Sequence, residues 1–141
     1  MNTTLIFKRD KIRKTLARKA ILDILEKFKK PLAVVEIIKK LKEKKILIDR
    51  VTVFRNINLL VNKGLIDKVE FNEGKYRYEI ASLPHHHHLV CTSCGKIKDI
   101  KSNSLHEEID RISKTVNETL DFKIEEHKVE FFGKCIKCKN K

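Results

Sequence analysis

The sequence predicts an α+β protein in two parts: three helices with a two-stranded ribbon, then a smaller α/β unit. Three observations predict it. Apolar residues recur at helical spacing through three stretches before residue 64. After Gly64 the period changes to that of strands. All 4 Cys and all 6 His lie beyond Pro84, where the composition shifts abruptly. At 141 residues, 41% of them hydrophobic, the chain is one domain's worth of sequence with enough apolar residues for a packed core.

Residues 10–29 read as a helix with Leu16, Ala20, Ile21, Ile24, Leu25 and Phe28 along one face. Pro31 closes that region or opens the next. Residues 33–44 form a second amphipathic helix through Val34, Ile37, Ile38 and Leu41. Residues 50–63 form a third, with Val53, Ile57, Leu60 and Val61 as its inner stripe and Gly64 placed to cap it. Strands are expected at 65–71 and 75–80, joined through Asn72-Glu73-Gly74. Three helices followed by such a ribbon is the winged form of the helix-turn-helix. Residues 1–80 are thus one domain, 81–84 a hinge linker, and 85–141 the second domain. In the latter a strand is expected at 96–101. Ser104 to Glu107 fits a capping box, ahead of a helix with Leu105, Ile109, Ile112, Val116 and Leu120 in a stripe. A last strand over 122–132 would put His127, Val129 and Phe131 on one face.

Charge divides the chain at the same place. Residues 1–80 carry 21 Lys/Arg against 10 Asp/Glu, whereas residues 81–141 carry 11 against 9. A basic half beside a His/Cys-rich half suggests one part that meets a polyanion and one that holds metal. A lysine-rich surface that serves solubility alone is the plain alternative. Charges interrupt every apolar run, which excludes a spanning helix of ~20 apolar residues. No apolar stretch follows Met1, so a secretory signal is not expected either, and a cytoplasmic protein is.

The strongest chemical signal is the pair of knuckles Cys91-Thr-Ser-Cys94 and Cys135-Ile-Lys-Cys138. Two CxxC knuckles supply the four thiolates of a closed, tetrahedral Zn(II) site. Disulfides are disfavoured in the cytoplasm. A redox CxxC should open a helix after a strand, and Cys91 instead precedes one. Histidine gives the second signal. On an extended segment His85 and His87 point one way and His86 and His88 the other. One stretch can therefore feed two metal sites, and His85, His87, His106 and His127 can form an all-imidazole set. The third signal is the helix at 50–63, where Arg55, Asn58 and Asn62 share one outward face and Thr52 stands at the N-terminal end. Arg and Asn suit guanine and adenine edges in the major groove. Lys68, Lys75 and Arg77 of the ribbon, with Arg13, Lys14, Arg18 and Lys19 of the first helix, supply cations for the backbone.

Thr52-Val-Phe-Arg-Asn-Ile-Asn-Leu-Leu60, Gly64-Leu-Ile66, Tyr76-Arg-Tyr-Glu79, His85 to Cys94 and His127 to Cys138 together resemble the ferric uptake regulator (Fur) family of repressors. The likeness runs in order from about Thr15 to Cys138. It implies a cytoplasmic homodimer that binds palindromic double-stranded operators when a regulatory metal is loaded. It also implies an N-terminal winged helix-turn-helix domain and a C-terminal α/β dimerisation domain with a four-cysteine zinc site. By position, Cys91, Cys94, Cys135 and Cys138 match the structural Zn(II) ligands. His85, His87, His106 and His127 match the sensing site. Glu79, His88 and Asp99, with His86, match a site at the domain hinge. Thr52, Arg55 and Arg13 match positions used for DNA contact.

The chain departs from the family pattern in three places. Phe54 replaces the usual Tyr of the recognition helix. The hinge-site His of the N-terminal domain has no counterpart near Pro31 or Leu32. His87 and His106 stand where iron-type members commonly carry carboxylates, which shifts the preference away from Fe(II) and Mn(II) toward Zn(II), Co(II) or Ni(II) and leaves Zn(II), ahead of Fe(II), as the expected sensed ion. The expectation is a metal-dependent transcriptional regulator with no enzymatic activity, no small-molecule substrate beyond metal ions and no membrane partner. A constitutive DNA-binding protein with purely structural metals is the alternative. A zinc hydrolase is a more distant one, since it needs an open coordination position and a general base.

Overall fold

The computed structural model describes residues 7, 11–81, 83 and 85–140. Two compact units divide the chain, Met1–Pro84 and His85–Lys141.

In the first unit the order is α1 (Leu16–Phe28), β1 (Leu32–Ala33), α2 (Val34–Glu43), α3 (Arg50–Asn62), β2 (Ile66–Glu70) and β3 (Tyr76–Ile80). Its sheet runs β1-β3-β2 with both pairings antiparallel. Each helix starts where a side chain takes up an orphan amide. Thr15 accepts from the Arg18 N–H, and Asp49 accepts from Thr52 at 2.9 Å. At α2 the roles reverse, and Glu36 reaches back to the Ala33 N–H at 2.8 Å. Gly64, at φ 64, ends α3 in the left-handed region that a glycine adopts without strain. Ile21, Leu22, Ile24 and Leu25 of α1 pack with Ile37 and Leu41 of α2, with Val53, Ile57 and Leu60 of α3, and with Ile66, Tyr78 and Ile80 of the ribbon. Each fully buried aliphatic side chain contributes about 1.5–3 kcal/mol by leaving water.

The first helix is shorter than its periodicity suggests. Residue 10 lies outside the described residues, while Lys11 sits at φ 50 and Thr15 is extended, so the helix begins at Leu16. Leu16 itself is exposed. The two-residue β1, which pairs Leu32 with Tyr78 and Ala33 with Arg77, carries no alternation long enough to detect.

The second unit contains β4 (His87–Cys91), β5 (Ile97–Ile100), α4 (Asn103–Leu120), β6 (Glu130–Gly133) and the short α5 (Ile136–Lys139). Its sheet runs β5-β4-β6, antiparallel on one side and parallel on the other. The parallel pairing needs a crossover, which β5 and α4 supply. Two expectations are corrected here. The last strand covers only Glu130–Gly133, not 122–132, because its partner β4 begins at His87 and the ladder starts at His88↔Glu130. The cap of α4 is Ser102, which accepts from Leu105 at 3.3 Å, and not Ser104, whose hydroxyl lies 2.9 Å from that of Ser102. No residue of α4 is buried, and Ile112 and Leu120 of its apolar stripe are exposed. Among the described residues of this unit, only His87, His88, Val90 and Cys91 are buried. The hydrophobic core belongs to the first unit.

Candidate metal centres and nucleic-acid face

Sheet pairing in the second unit closes the two knuckles on each other. Cys91 ends β4 opposite Gly133 of β6, and the chain turns there so that Cys135 and Cys138 return to Cys91 and Cys94. The four sulfurs lie within 4.8 Å of one another, and Cys94 Sγ is 3.7 Å from Cys135 Sγ. That separation is far beyond a disulfide bond of about 2.05 Å. It equals the edge, about 3.8 Å, of a tetrahedron whose metal–sulfur bonds are about 2.3 Å. The Cys135 N–H donates to Cys91 Sγ at 3.3 Å, and with the Cys94 amide it pulls the Cys91 thiol down to about 6. Cys138 is pushed up to about 12 by the proton it shares with Cys135 and Cys94. Four sulfurs this close cannot all be anionic without a cation among them, so donor set and geometry both fit zinc.

Alternation along the His85–His88 stretch separates its rings. His85 and His87 face one side, where α4 brings His106 and the segment before β6 brings His127. Ring centroids of His85 lie 4.9 Å from His87, 5.0 Å from His106 and 4.7 Å from His127. His85 Nε2 is 2.9 Å from His127 Nε2. Two nitrogens binding one ion at ~2.0–2.1 Å and about 90° stand that far apart. His87 Nε2 is buried without a hydrogen-bond partner, while its ring bonds to the Val129 backbone. An imidazole anchored through one nitrogen with the other left bare is oriented as a metal ligand. Burial, then the neighbouring imidazoles, hold His85 and His87 below the usual histidine range, so both stay neutral and able to ligate near pH 7.

On the other side of the stretch, His86 Nε2 and His88 Nε2 are 3.2 Å apart. Asp99 is the partner of His88 across the β4–β5 ladder. Glu79, the fourth residue expected there, lies on β3 of the first unit.

The first unit presents the expected helix face. Arg55, Asn58 and Asn62 of α3 are exposed, Thr52 is half-buried in its first turn, and Arg13 and Lys75 are exposed. Two expected contacts are otherwise engaged. Arg18 donates from Nε to Asn56 Oδ1 at 2.9 Å and from NH1 to the Arg13 carbonyl at 2.6 Å, which joins α1 to α3. Arg77 is only 7% exposed. Its guanidinium grips Glu73 at 2.7 and 3.0 Å and Glu36 at 2.8 Å. A forked guanidinium so occupied has no face for a phosphate, and Arg77 is corrected to a brace between ribbon and α2. The sequence offered one clue to the brace, since Glu73 stands four residues before Arg77; Glu36 is 41 positions away and gave none. The exposed aromatic on the same strand is Tyr76, with Lys68 Nζ 3.6 Å over its ring.

Residues 9–132 match the model of the ferric uptake regulator family. The chain belongs to the ferric uptake regulator family. The ferric uptake regulation protein of Bacillus subtilis is 32% identical over 121 residues, spanning 84% of this chain and 78% of that protein. The crystal structure of the Vibrio cholerae ferric uptake regulator superposes with a TM-score of 0.81 at 25% identity, covering 95% of this chain and 100% of the other. A zinc-bound manganese uptake regulator superposes with a TM-score of 0.78 at 25% identity, over 94% and 98% of the two chains. As a ferric uptake regulator family member the chain is a metal-responsive regulator by kinship. No helix among its described residues is long and apolar enough to cross a membrane.

Proposed function

We propose that this regulator is a cytoplasmic, homodimeric repressor that binds a palindromic operator when a labile divalent metal is loaded. The carrying observation is the imidazole cluster of His85, His87 and His106, with the His127 ring 4.7 Å from that of His85 and the bare, buried His87 Nε2 among them. Cys91, Cys94, Cys135 and Cys138 hold a structural Zn(II), which closes a unit that has almost no core of its own. Its ligand count leaves no open position, so hydrolysis is not its chemistry. The four imidazoles take the sensed ion, Zn(II) in preference to Fe(II), because nitrogen replaces oxygen at His87 and His106. His86, His88 and Asp99 offer donors for a further ion within the second unit.

The first unit supplies the nucleic-acid face, with Arg55 and Asn58 reading bases and Thr52, Arg13 and Lys75 positioning the phosphates. The second unit supplies the dimer contact, consistent with exposed Ile112, Leu120, Phe131 and Phe132. Bound metal favours the arrangement of two recognition helices that matches two half-sites, and its differential affinity for that state is the whole signal. The test is operator binding at fixed salt by protein stripped of labile metal, then titrated separately with Zn(II) and Fe(II), with the Cys-bound zinc counted throughout. Binding that appears with one ion supports the sensor reading and names the ion. Equal binding with the labile sites empty makes the protein a constitutive binder.

A further inference from the structure

The positive charge of the first unit is not centred on α3. Residues 27–45, from the end of α1 to the turn after α2, carry 8 Lys against 2 Glu, so 6 of the 11 excess positive charges of residues 1–80 lie there. One of those carboxylates, Glu36, is taken by the Arg77 guanidinium. All of the lysines except Lys40 are exposed. Lys40 Nζ lies 3.5 Å over the Phe28 ring and Lys27 Nζ 5.8 Å from the same ring, which gathers cations of α1 and α2 at one place. Along α2, exposed Val35, Lys39 and Lys42 share one outward face at i, i+4 and i+7. We infer that this lysine cluster is a second nucleic-acid contact, which holds the phosphate backbone of the operator duplex outside the bases read by α3, whatever the sequence there. The inference rests on the reading of the first unit as a DNA-binding domain.

Placement, composition and charge balance carry it. In a helix-turn-helix the helix before the recognition helix crosses the backbone, and α2 is that helix. The cluster is also set apart from the base-reading face. Arg18, near the start of α1, is tied to Asn56 of α3, whereas Phe28 lies ten residues further, about 15 Å along the helix axis. Residues 27–45 contain no Arg. A lysine is a point charge on a flexible stem, suited to a phosphate and not to the forked reading of a base edge. Its charge is also unmatched within the unit. The ion pairs there use Lys19, Lys75 and Arg77, and none of these lysines among the described residues. Ammonium groups this dense repel one another, and a row of phosphates relieves the repulsion while releasing its own counterions. DNA is favoured over an acidic protein because α3, held alongside, already brings the duplex to high local concentration.

The test uses the metal-loaded full chain and a short duplex that it selects from a random pool, either bare or extended at each end by about one helical turn, about 10 base pairs. Fluorescence anisotropy over a salt series compares the wild type, Arg55→Ala, a quadruple variant (Lys30→Gln, Lys39→Gln, Lys42→Gln, Lys44→Gln) and the same positions changed to Arg. The wild type should bind the extended duplex more tightly than the bare one, equally with two unrelated flanks. The quadruple Gln variant should lose that gain and bind the extended duplex about tenfold or more weakly, with a salt slope shallower by about 0.9 for each lysine that meets a phosphate. Its preference for the selected over a scrambled duplex and its helical circular dichroism should not change. The Arg version should behave as the wild type, and Arg55→Ala should lose the preference while keeping the flank gain. If the wild type gains nothing from flanks, or the Gln variant gains as much, the cluster does not meet the operator duplex and the inference is overturned. A loss confined to capture of a second duplex or of anionic lipid vesicles, with the flank gain intact, assigns the lysines another polyanion and overturns it too. If no duplex is selected in any metal state, the DNA-binding reading fails first and the inference falls with it.

Discussion

His85 Nε2 lies 2.9 Å from His127 Nε2 across 42 positions of sequence. One residue opens the second unit and the other precedes its last strand. An ion held between them would tie the two ends of the crossover together; the His87 ring stands 4.9 and 5.6 Å from the two, and the His106 ring 5.0 Å from that of His85.

Replacing His87 by Ala removes the one imidazole whose ligating nitrogen is buried and bare. Affinity for the labile ion should fall about 100-fold or more, since even an outer-sphere partner of a ligand is worth 10–100-fold. Zinc content at the cysteines should not change. Metal titration by calorimetry and operator binding by fluorescence anisotropy check both. A variant that still responds fully to metal would falsify the sensing assignment.

Arg55→Ala and Arg77→Ala should fail differently. Loss of Arg55 should cost about 1–3 kcal/mol in operator binding and relax preference at one base, with folding unchanged. Loss of Arg77 should instead destabilise the first unit by about 2–3 kcal/mol, because two carboxylates lose their partner. Urea unfolding beside a binding isotherm separates the two.

Acid should weaken the same brace. The hydrogen bonds from Arg77 hold the Glu73 carboxyl below its usual value of 4.5. The folded state therefore binds fewer protons, and the contribution is whole above that value and fades as pH falls through the lower, folded one. Glu73→Gln should cost about 1–2 kcal/mol at pH 6 and flatten the stability profile below about pH 5. Denaturation midpoints at pH 6, 4 and 3 test this.

Stripping all metal should unfold the second unit and spare the first. The hydrophobic core lies in the first unit, whereas the second buries little besides His87, His88, Val90 and Cys91. Limited proteolysis after a strong thiol-competitive chelator should cut within 85–140 and leave a resistant fragment near 11–81, a pattern reversed by added Zn(II). Resistance of both regions would show that packing alone holds the second unit.

Most of the first unit was legible because its helices carry full apolar stripes with caps beside them. Asp49 and Gly64 bracket α3, and Gly64 could be read from spacing alone. The second unit was less legible for a physical reason. Its segments 122–132 and 103–120 are apolar on faces that the single chain does not bury, so periodicity overstated the strand and misplaced the cap of α4. The candidate ligands were the opposite case. Cys and His in those spacings are chemically specific, and the structure gathers Cys91, Cys94, Cys135 and Cys138 in one cluster as the knuckles suggested. Engagement of Arg18 and Arg77 was hidden because their partners Asn56 and Glu36 are 38 and 41 positions away.

The parallel pairing of β4 with β6 also has a consequence in time. The ladder and the metal ligands that close the second unit wait for residues 127–138, which leave the ribosome more than 40 positions after His85 and Cys91. The first unit also joins distant residues, Leu32 to Tyr78 among them, but its last strand ends at Ile80, so all its partners have emerged before residue 127. A nascent chain thus has its helical reading head folded before the last ligands arrive. On the proposed function, metal supply would then decide how long each new molecule spends able to touch nucleic acid but deaf to its signal.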